Sequence, residues 1–250
     1  FMVSALFVGT AGYTNAVVAQ LFGAGRKDGC SEATVQGLIL ALLCYPLILA
    51  LSPLARYLFV LAGQSPLQIR LGYEYFRIII FGSVFLVLRY ALSGFFLGIG
   101  RTRVVMISNL AGMLINIPAN YALIYGKLGF PALGLAGAAV GTVLGSMVTL
   151  LILLAFYWSR ANRREFATHR GFRLRAATLR TLVRFGGPAG VEMLLNVAAF
   201  NLFVQFMHSY GTGVAAAVTI AFNWDIVAFI PMLGMSYATC LLYTSDAADD

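Results

Sequence analysis

Two apolar stretches near the end of the chain decide the fold: RTLVRFGGPAGVEMLLNVAAFNLFVQFMHSYG at residues 180–211 and VAAAVTIAFNWDIVAFIPMLG at residues 214–234. Each is long enough to cross a membrane as a helix, since about 20 apolar residues span the hydrocarbon core. The turn residues between them predict a helical hairpin. Each arm carries one carboxylate well inside apolar sequence, Glu192 in the first and Asp225 in the second. A carboxylate at that depth is costly and is usually retained for a function.

The composition of the whole chain agrees with a membrane protein. Of the 250 residues, 60% are hydrophobic and 10% are charged, whereas about 25% of the residues of a soluble domain are charged. No recurring alternation of apolar and polar residues indicates a β-barrel. The net charge of +8 is confined to a few short segments, a pattern that sets membrane topology and does not favour a nucleic-acid surface. We therefore predict an all-α, polytopic membrane protein.

Seven stretches are long and apolar enough to be transmembrane helices. They cover residues 1–22, 32–54, 71–97, 104–126, 132–158, 178–209 and 213–242. Short connectors with glycine and polar residues separate most of them, and the fifth connector is long and basic. The chain also opens within an apolar run and ends on YTSDAADD, so we expect a segment before Phe1 and interpret residues 242–250 as a non-native tail.

The positions of Lys and Arg predict the orientation of the spans. Twelve of the 17 basic residues lie in the first, third and fifth connectors, which share one side of the membrane if the spans alternate. The opposite connectors hold Arg56, Arg70 and Lys127. This bias places the basic connectors in the cytoplasm. Arg89 falls toward the cytoplasmic end of the third span, and we expect its side chain to snorkel to the interface.

The two carboxylates of the hairpin are the candidate coupling residues. At 1.5 Å per residue, Glu192 and Asp225 are predicted to lie within about one helical turn of each other in height and to face one cavity. Pro188 would bend the first arm and free a backbone carbonyl beside Glu192. This arrangement suits Na⁺ coordination or reversible protonation, and the sequence does not separate the two. The alternatives are an acid paired with Arg184 or Arg180, or a structural partner of Asp225 such as Asn223 or Trp224.

Polar residues in the other spans are candidates for a substrate cavity. Asn109, Asn116 and Asn120 lie in the fourth span, where Pro118 predicts a kink between the last two. Thr142 on the fifth span and Asn196 on the sixth complete the candidate set. The alternative is that the amides simply bridge neighbouring helices. The small residues of LGFPALGLAGAAVGTVLGS, residues 128–146, predict close helix packing.

The sequence does not favour an enzyme, a metal site or a resident cofactor. His169 lies in the basic connector and His208 at a helix end, with no nucleophile–base or metal-ligand set around either. Cys30, Cys44 and Cys240 show no disulfide or metal spacing. A seven-helix retinal protein is excluded because Lys27 and Lys127 both lie in connectors.

Five segments together resemble the MATE family of multidrug and toxic compound extrusion transporters. They are AQLFGAG (Ala19–Gly25), GIGRTR (Gly98–Arg103), NIPANYALIYG (Asn116–Gly126), GFPALGLAGAAVGT (Gly129–Thr142) and FGGPAGVE (Phe185–Glu192). The resemblance covers about Gly9 to Leu241 and implies helices two to eight of a twelve-helix, two-lobe protein. It implies an N-terminal lobe over 1–158 that lacks its first helix, a cytoplasmic interlobe loop over 159–178, and the first two helices of a C-terminal lobe over 179–241.

The resemblance also implies a function. Such proteins exchange organic cations or drugs for Na⁺ or H⁺ by alternating access in the bacterial inner membrane, and we expect a monomer in the lipid bilayer that binds no nucleic acid. Glu192 matches the family's acid after the proline on the seventh helix, and Asn116, Asn120 and Thr142 match polar positions of the first-lobe cavity. Asn120 stands where some members carry an aspartate, so first-lobe cation coupling is in question. The alternative is a flippase for lipid-linked oligosaccharides with a related fold.

Overall fold

The chain forms a bundle of long helices in a computed structural model that describes residues 2–53, 66–127, 129–168 and 175–246. The helices are α1 (Met2–Gly12), α2 (Thr14–Gly23), α3 (Lys27–Ala50), α4 (Pro66–Gly98), α5 (Thr102–Tyr125), α6 (Leu135–Tyr157), α7 (Arg160–Glu165), α8 (Ala176–His208) and α9 (Thr212–Asp246). By length and composition, the described residues contain seven helical stretches that could cross a membrane, counting α1 and α2 as one. The prediction of an all-α protein with seven spans is confirmed.

The first span contains a local break. The sequence predicts one helix over 1–22, whereas α1 ends at Gly12 and α2 begins at Thr14. The backbone nevertheless continues in a helical sense, because Tyr13 has φ −60° and ψ −15° and its N–H donates to the Gly9 carbonyl at 3.2 Å. The break is therefore local, and Ser4–Gly23 forms one span.

Helix α8 is held against α1 by glycines. A Cβ atom added to Gly9 would lie 2.7 Å from the Gly190 Cα atom, and one added to Gly186 would lie 2.7 Å from the Thr10 carbonyl oxygen. A Cβ atom on Gly190 would overlap the Leu6 carbonyl oxygen. Glycines four residues apart let two membrane helices approach to backbone contact. Because the face of α8 with Gly186 and Gly190 lies against α1, the opposite face of α8 is turned away from the first helices.

An aromatic core closes the bundle at the end where α4, α6 and the fifth connector meet. The Phe95 ring packs edge-on against Phe96, Tyr157 and Phe166, with ring centroids 5.2, 5.0 and 5.3 Å apart. Phe166 follows α7 and is fully buried, although the sequence predicts its surroundings as a polar linker. The polar composition of RANRRE concealed this short helix. The connector is therefore partly built into the core.

Ion pairs gather three basic connectors at that same end, which we call the basic end. The Glu165 carboxylate accepts from Lys27 Nζ at 3.1 Å and from Arg101 Nη2 at 2.6 Å. These contacts hold the pKa of Glu165 below its ordinary value, first through the hydrogen bond from Lys27 and then through Arg101. The Glu32 carboxylate on α3 accepts from Arg175 Nε at 3.2 Å and from the Thr178 hydroxyl at 3.0 Å. The connectors that were predicted to share one side do lie together.

Some predicted features fall outside the described residues. Most of the second connector lies within residues 54–65, and His169 lies within residues 169–174. The side chains of His208 and Cys240 are also outside the description. Helix α9 continues to Asp246, across the boundary at residue 242 where we expected a non-native tail.

Candidate functional site

Both hairpin carboxylates lie at the middle of their spans. Glu192 is midway along the span Ala176–Met207, and Asp225 is close to the middle of the span Ala216–Ser236. Helix α8 begins at Ala176, eight residues before Arg184. The position of both acids deep in the membrane stays a prediction.

The two acids are not level, which corrects the predicted height. The Phe222 ring of α9 packs between Phe200 and Phe203 of α8, with ring centroids 5.0 and 5.6 Å apart. Counted from that contact toward the basic end, Glu192 lies about 14 Å away and Asp225 about 5 Å away at 1.5 Å per residue. The axial offset of about 10 Å is roughly two helical turns, where one was expected. The sequence could not reveal this, because the register of the hairpin depends on aromatic packing.

Glu192 is an exposed acid without a partner among the described residues. Gly190 faces α1, and Glu192 lies about 200° further around the helix at 100° per residue. Its side chain is therefore directed away from α1, and it lies within about 20° of Phe203, which faces α9. The alternative of an ion pair with Arg184 is not what the structure shows, because the Arg184 guanidinium lies over the Phe185 ring at 5.6 Å.

Asp225 is likewise exposed and makes no hydrogen bond or ion pair in the described part of the chain. Its neighbours do not supply the structural partner that we had considered. The Asn223 amide donates to the Thr219 carbonyl at 2.8 Å, and Trp224 is 73% exposed. The hairpin thus presents two separate carboxylates, one on each arm.

The prolines lie inside helices as predicted. Pro188 is within α8 and Pro118 is within α5. A proline cannot donate a backbone hydrogen bond, so the carbonyl four residues earlier, that of Arg184 in α8, loses its usual partner. The contribution of that carbonyl to an ion site stays a prediction.

Two of the cavity candidates lie in the seam between α5 and α6. A Cβ atom on Gly141 would overlap Asn120 Oδ1, and one on Gly145 would lie 3.0 Å from Asn116 Cβ. The Asn120 amide also donates to Asn116 Oδ1 at 3.2 Å. Glycines at every fourth residue of α6 receive these amides, so the amides pack against α6, while their hydrogen bond to each other stays within α5. Asn120 Oδ1 is buried and has no hydrogen-bond partner within the described residues.

The other cavity candidates are accessible. Thr142 is exposed and donates to the Ala138 carbonyl at 2.9 Å. It lies between Gly141, which faces α5, and Val143, which contacts Gly82 of α4. Asn196 is exposed on α8 with no hydrogen bond in the described region. Asn109 is exposed and accepts from Arg89 Nη1 at 3.2 Å. This last contact was missed, although an arginine inside an apolar span is a signal that could have indicated it.

Comparison with known proteins agrees with this helical architecture. Residues 1–122 match the family model described as MatE. The chain is 33% identical over 241 residues to the multidrug resistance protein PmpM of Pseudomonas aeruginosa, covering 92% of this chain and 49% of that protein. It is 31% identical over 218 residues to the multidrug resistance protein NorM of Vibrio cholerae serotype O1, covering 86% of this chain and 47% of that protein. A solved outward-facing multidrug resistance MATE family transporter superimposes with a TM-score of 0.84 at 25% identity, covering 99% of this chain and 55% of that one.

The chain belongs to the MATE family.

Membership agrees with the resemblance that the five sequence segments indicated. The MATE chain spans about half the length of the curated relatives it matches. Within the described residues, no three His, Cys, Asp or Glu side chains lie close enough together to hold a metal ion. The candidate site of this MATE chain consists of the hairpin acids and the polar residues of α5 and α6.

Proposed function

We propose that the protein carrying this chain is a membrane antiporter, which exports organic cations or drug-like molecules in exchange for Na⁺ or H⁺ by alternating access. The observation that carries the proposal is Glu192, a carboxylate midway along a transmembrane helix with no partner among the described residues. Two relatives are named multidrug resistance proteins, which supports the assignment of the cargo class.

A mid-membrane carboxylate can serve both halves of an exchange. Its oxygens are suitable ligands for Na⁺, and the same oxygens can accept and release a proton. When the ion or proton leaves, an uncompensated negative charge remains inside the membrane. Ion entry is coupled to a change of conformation if the inward-open and outward-open conformations bind the ion or proton with different affinity. Asp225, about 10 Å away along the hairpin, would extend the polar path by about two helical turns.

The cargo would bind beside neutral polar groups of the first helices. Thr142 and Asn109 are exposed, and Asn116 is partly exposed at the edge of the α5–α6 seam. Such groups orient a ligand by hydrogen bonds while the surrounding apolar surface binds its body. Asn196 on α8 would contribute from the hairpin.

The membrane placement is part of the proposal. The seven spans and the bacterial relatives support a multi-pass membrane protein. We place it as a monomer in the bacterial inner membrane, with the basic end in the cytoplasm because basic residues are retained on that side.

Efflux from cells that express the whole reading frame tests the proposal. We expect the wild-type protein to lower ethidium accumulation and Glu192→Gln to abolish this effect at equal expression. Glu74→Gln is the matched control, since it removes one exposed carboxylate near the far end of α4. Efflux by Glu192→Gln equal to that of the wild type would remove Glu192 from the mechanism.

The flippase alternative has less support. A cavity for lipid-linked oligosaccharides would be expected to present several cationic residues, because the cargo carries phosphates. The basic residues of α4 are Arg70, Arg77 and Arg89, and both Arg70 and Arg77 are exposed toward the far end of the helix. We therefore retain the antiporter as the proposed function.

A further inference from the structure

Helix α7 is attached to the bundle by one face. The buried Asn162 side chain accepts from Arg101 Nη1 at 2.5 Å and donates to the Phe156 carbonyl at 2.7 Å. Glu165, on the adjoining part of the same face, pairs with Arg101. Phe166, directly after the helix, is buried in the aromatic core. These contacts fix the rotation of α7 about its own axis.

The opposite face of α7 carries arginines, and we call it the arginine face. At 100° per residue, Arg160 and Arg164 both lie about 160° from Asn162 around the helix, and Arg163 lies about 100° from it. All three arginines are exposed, and none forms an ion pair within the described residues. Arg160 and Arg164 are four residues apart, a spacing at which like charges repel each other. Glu165 is the one acid of α7, and its carboxylate is already bonded on the other face.

The arginine face lies at the end of a transmembrane span. Trp158 directly follows α6, and its side chain is half exposed. A tryptophan at the end of an apolar span is typical of the headgroup level of a bilayer. Arg160 comes two residues later, and the buried Phe166 returns the chain to the core, so the arginines stay near that level. Arg103, near the start of α5, adds an exposed positive charge at this same basic end.

An exposed apolar stripe leads along α6 to the arginine face. Leu151, Ala155 and Trp158 are exposed and lie within about 60° of one another around the helix at 100° per residue. The surface is thus apolar over the last two turns of α6 and strongly positive just beyond them. A molecule that fits both parts has an apolar body and an anionic head.

We propose that the arginine face of α7 binds the headgroups of anionic phospholipids, such as phosphatidylglycerol, from the surrounding bilayer. Guanidinium groups bind phosphate oxygens through paired, charge-assisted hydrogen bonds. The acyl chains of the same lipid lie along the stripe of Leu151, Ala155 and Trp158. Basic residues close to a membrane surface attract anionic lipids in this way. The inference goes beyond the proposed export function and requires only that the chain lies in a membrane.

Lipid binding has a structural consequence at the basic end. A bound phosphate neutralises the repulsion between Arg160 and Arg164 and so stabilises α7. The other face of α7 supplies Asn162 and Glu165 to the first and third connectors. Anionic lipid therefore reinforces the ion pairs that hold the connectors together.

Quenching of Trp158 by brominated lipids tests the inference. The purified whole protein is placed in nanodiscs of phosphatidylcholine that contain increasing fractions of phosphatidylglycerol brominated on its acyl chains. A parallel series contains phosphatidylcholine brominated at the same carbons. The part of the quenching that is lost in Trp158→Phe reports the lipid at this site. We expect the wild type to prefer phosphatidylglycerol roughly tenfold, and Arg160→Gln/Arg164→Gln to lower the preference below about twofold.

Two further double variants serve as controls. Arg70→Gln/Arg77→Gln removes two exposed arginines toward the far end of α4 and should leave the preference unchanged. Arg160→Lys/Arg164→Lys retains both charges and should retain most of the preference. A melting temperature of each variant shows that it is folded. If Arg160→Gln/Arg164→Gln does not fold, Arg163→Gln carries the same comparison with a smaller expected loss.

Competition with a soluble anion identifies the source of the phosphate. Millimolar inorganic phosphate should leave the quenching by phosphatidylglycerol unchanged, because it lacks the acyl chains that hold a lipid at the membrane. Displacement by inorganic phosphate would assign the arginines to a soluble anion and overturn the inference. Equal quenching by the two lipids in the wild type would show that the face is not a lipid site. A preference that survives in folded Arg160→Gln/Arg164→Gln would likewise overturn the assignment to these arginines.

Discussion

At the scale of single residues, Glu165 is the point where three connectors meet. Its carboxylate is bonded to Lys27 of the first connector and Arg101 of the third, while Glu165 itself belongs to the fifth. Because it is partly exposed, each pair is expected to add little to stability by itself. Both pairs nevertheless share the Glu165 carboxylate, so its protonation affects both. The pH dependence of the protein's stability therefore tests whether these pairs are present.

The pKa of Glu165 predicts a loss of stability in acid. The Lys27 hydrogen bond and then Arg101 lower the pKa of the folded protein below the ordinary value of 4.5. The stabilisation is therefore present above pH 4.5 and disappears as the pH falls through the lowered pKa. We expect the difference in melting temperature between the wild type and Glu165→Gln to become smaller as the pH falls from above 4.5 through the lowered pKa of Glu165. A difference that stays constant from pH 6 to pH 3 would contradict the assignment.

Sequence reasoning at this scale located acids but not their contacts. Glu192 and Asp225 were identified because a charge within an apolar run is conspicuous. The sequence could not show that Arg184 lies over Phe185, since several rotamers of a long side chain are compatible with the same spacing. The contact of Arg89 with Asn109 depends on where α4 and α5 cross, which no local pattern records.

At the scale of helices, the α1–α8 crossing depends on the absence of side chains at its glycines. Gly9→Ala would place a methyl group 2.7 Å from the Gly190 Cα atom, so the helices must move apart. We expect a loss of about 1–3 kcal/mol, the usual cost of overpacking. Gly12→Ala on the same helix meets nothing within 4 Å and is the matched control. Thermal unfolding in detergent measures the effect. We expect a lower melting temperature than the wild type for Gly9→Ala and an unchanged one for Gly12→Ala.

The α5–α6 seam supports a second comparison. Asn120→Leu replaces an amide that lies against Gly141 and bonds to Asn116, so it should destabilise the seam by about 1–3 kcal/mol. Asn196→Leu changes an exposed amide of α8 and should leave the melting temperature almost unchanged. Equal stability of the two variants would indicate that Asn120 does not bridge the helices and would favour the cavity interpretation.

The positions of the long helices along the sequence were well predicted, whereas the relative heights of residues on neighbouring helices were not. The fourth span was predicted over 104–126, and α5 covers Thr102–Tyr125, because hydrophobic length determines where a membrane helix begins and ends. The small residues of α6 also indicated close packing, and the glycine contacts confirm it. The 10 Å offset of the hairpin acids and the short helix α7 were not foreseen. Both depend on aromatic side chains that pack between distant parts of the chain.

At the scale of the whole molecule, the basic end is predicted to be cytoplasmic. The structure brings the three basic connectors together, as the alternation of seven spans requires. In intact cells that express a variant without native cysteines, a membrane-impermeant maleimide should label Lys127→Cys and not Arg160→Cys. Permeabilised cells should show labelling of both. The reverse pattern in intact cells would invert the topology.

The central claim is that Glu192 couples the movement of an ion to the export of cargo. For the most direct measurement, the purified whole protein is reconstituted into liposomes and a Na⁺ or H⁺ gradient is imposed. The movement of ethidium in the direction opposite to the flow of that ion is then followed. We expect at least one gradient to drive transport by the wild type and by the Glu74→Gln control, and neither to drive transport by folded Glu192→Gln. Gradient-driven transport by Glu192→Gln at the wild-type rate would contradict the claim.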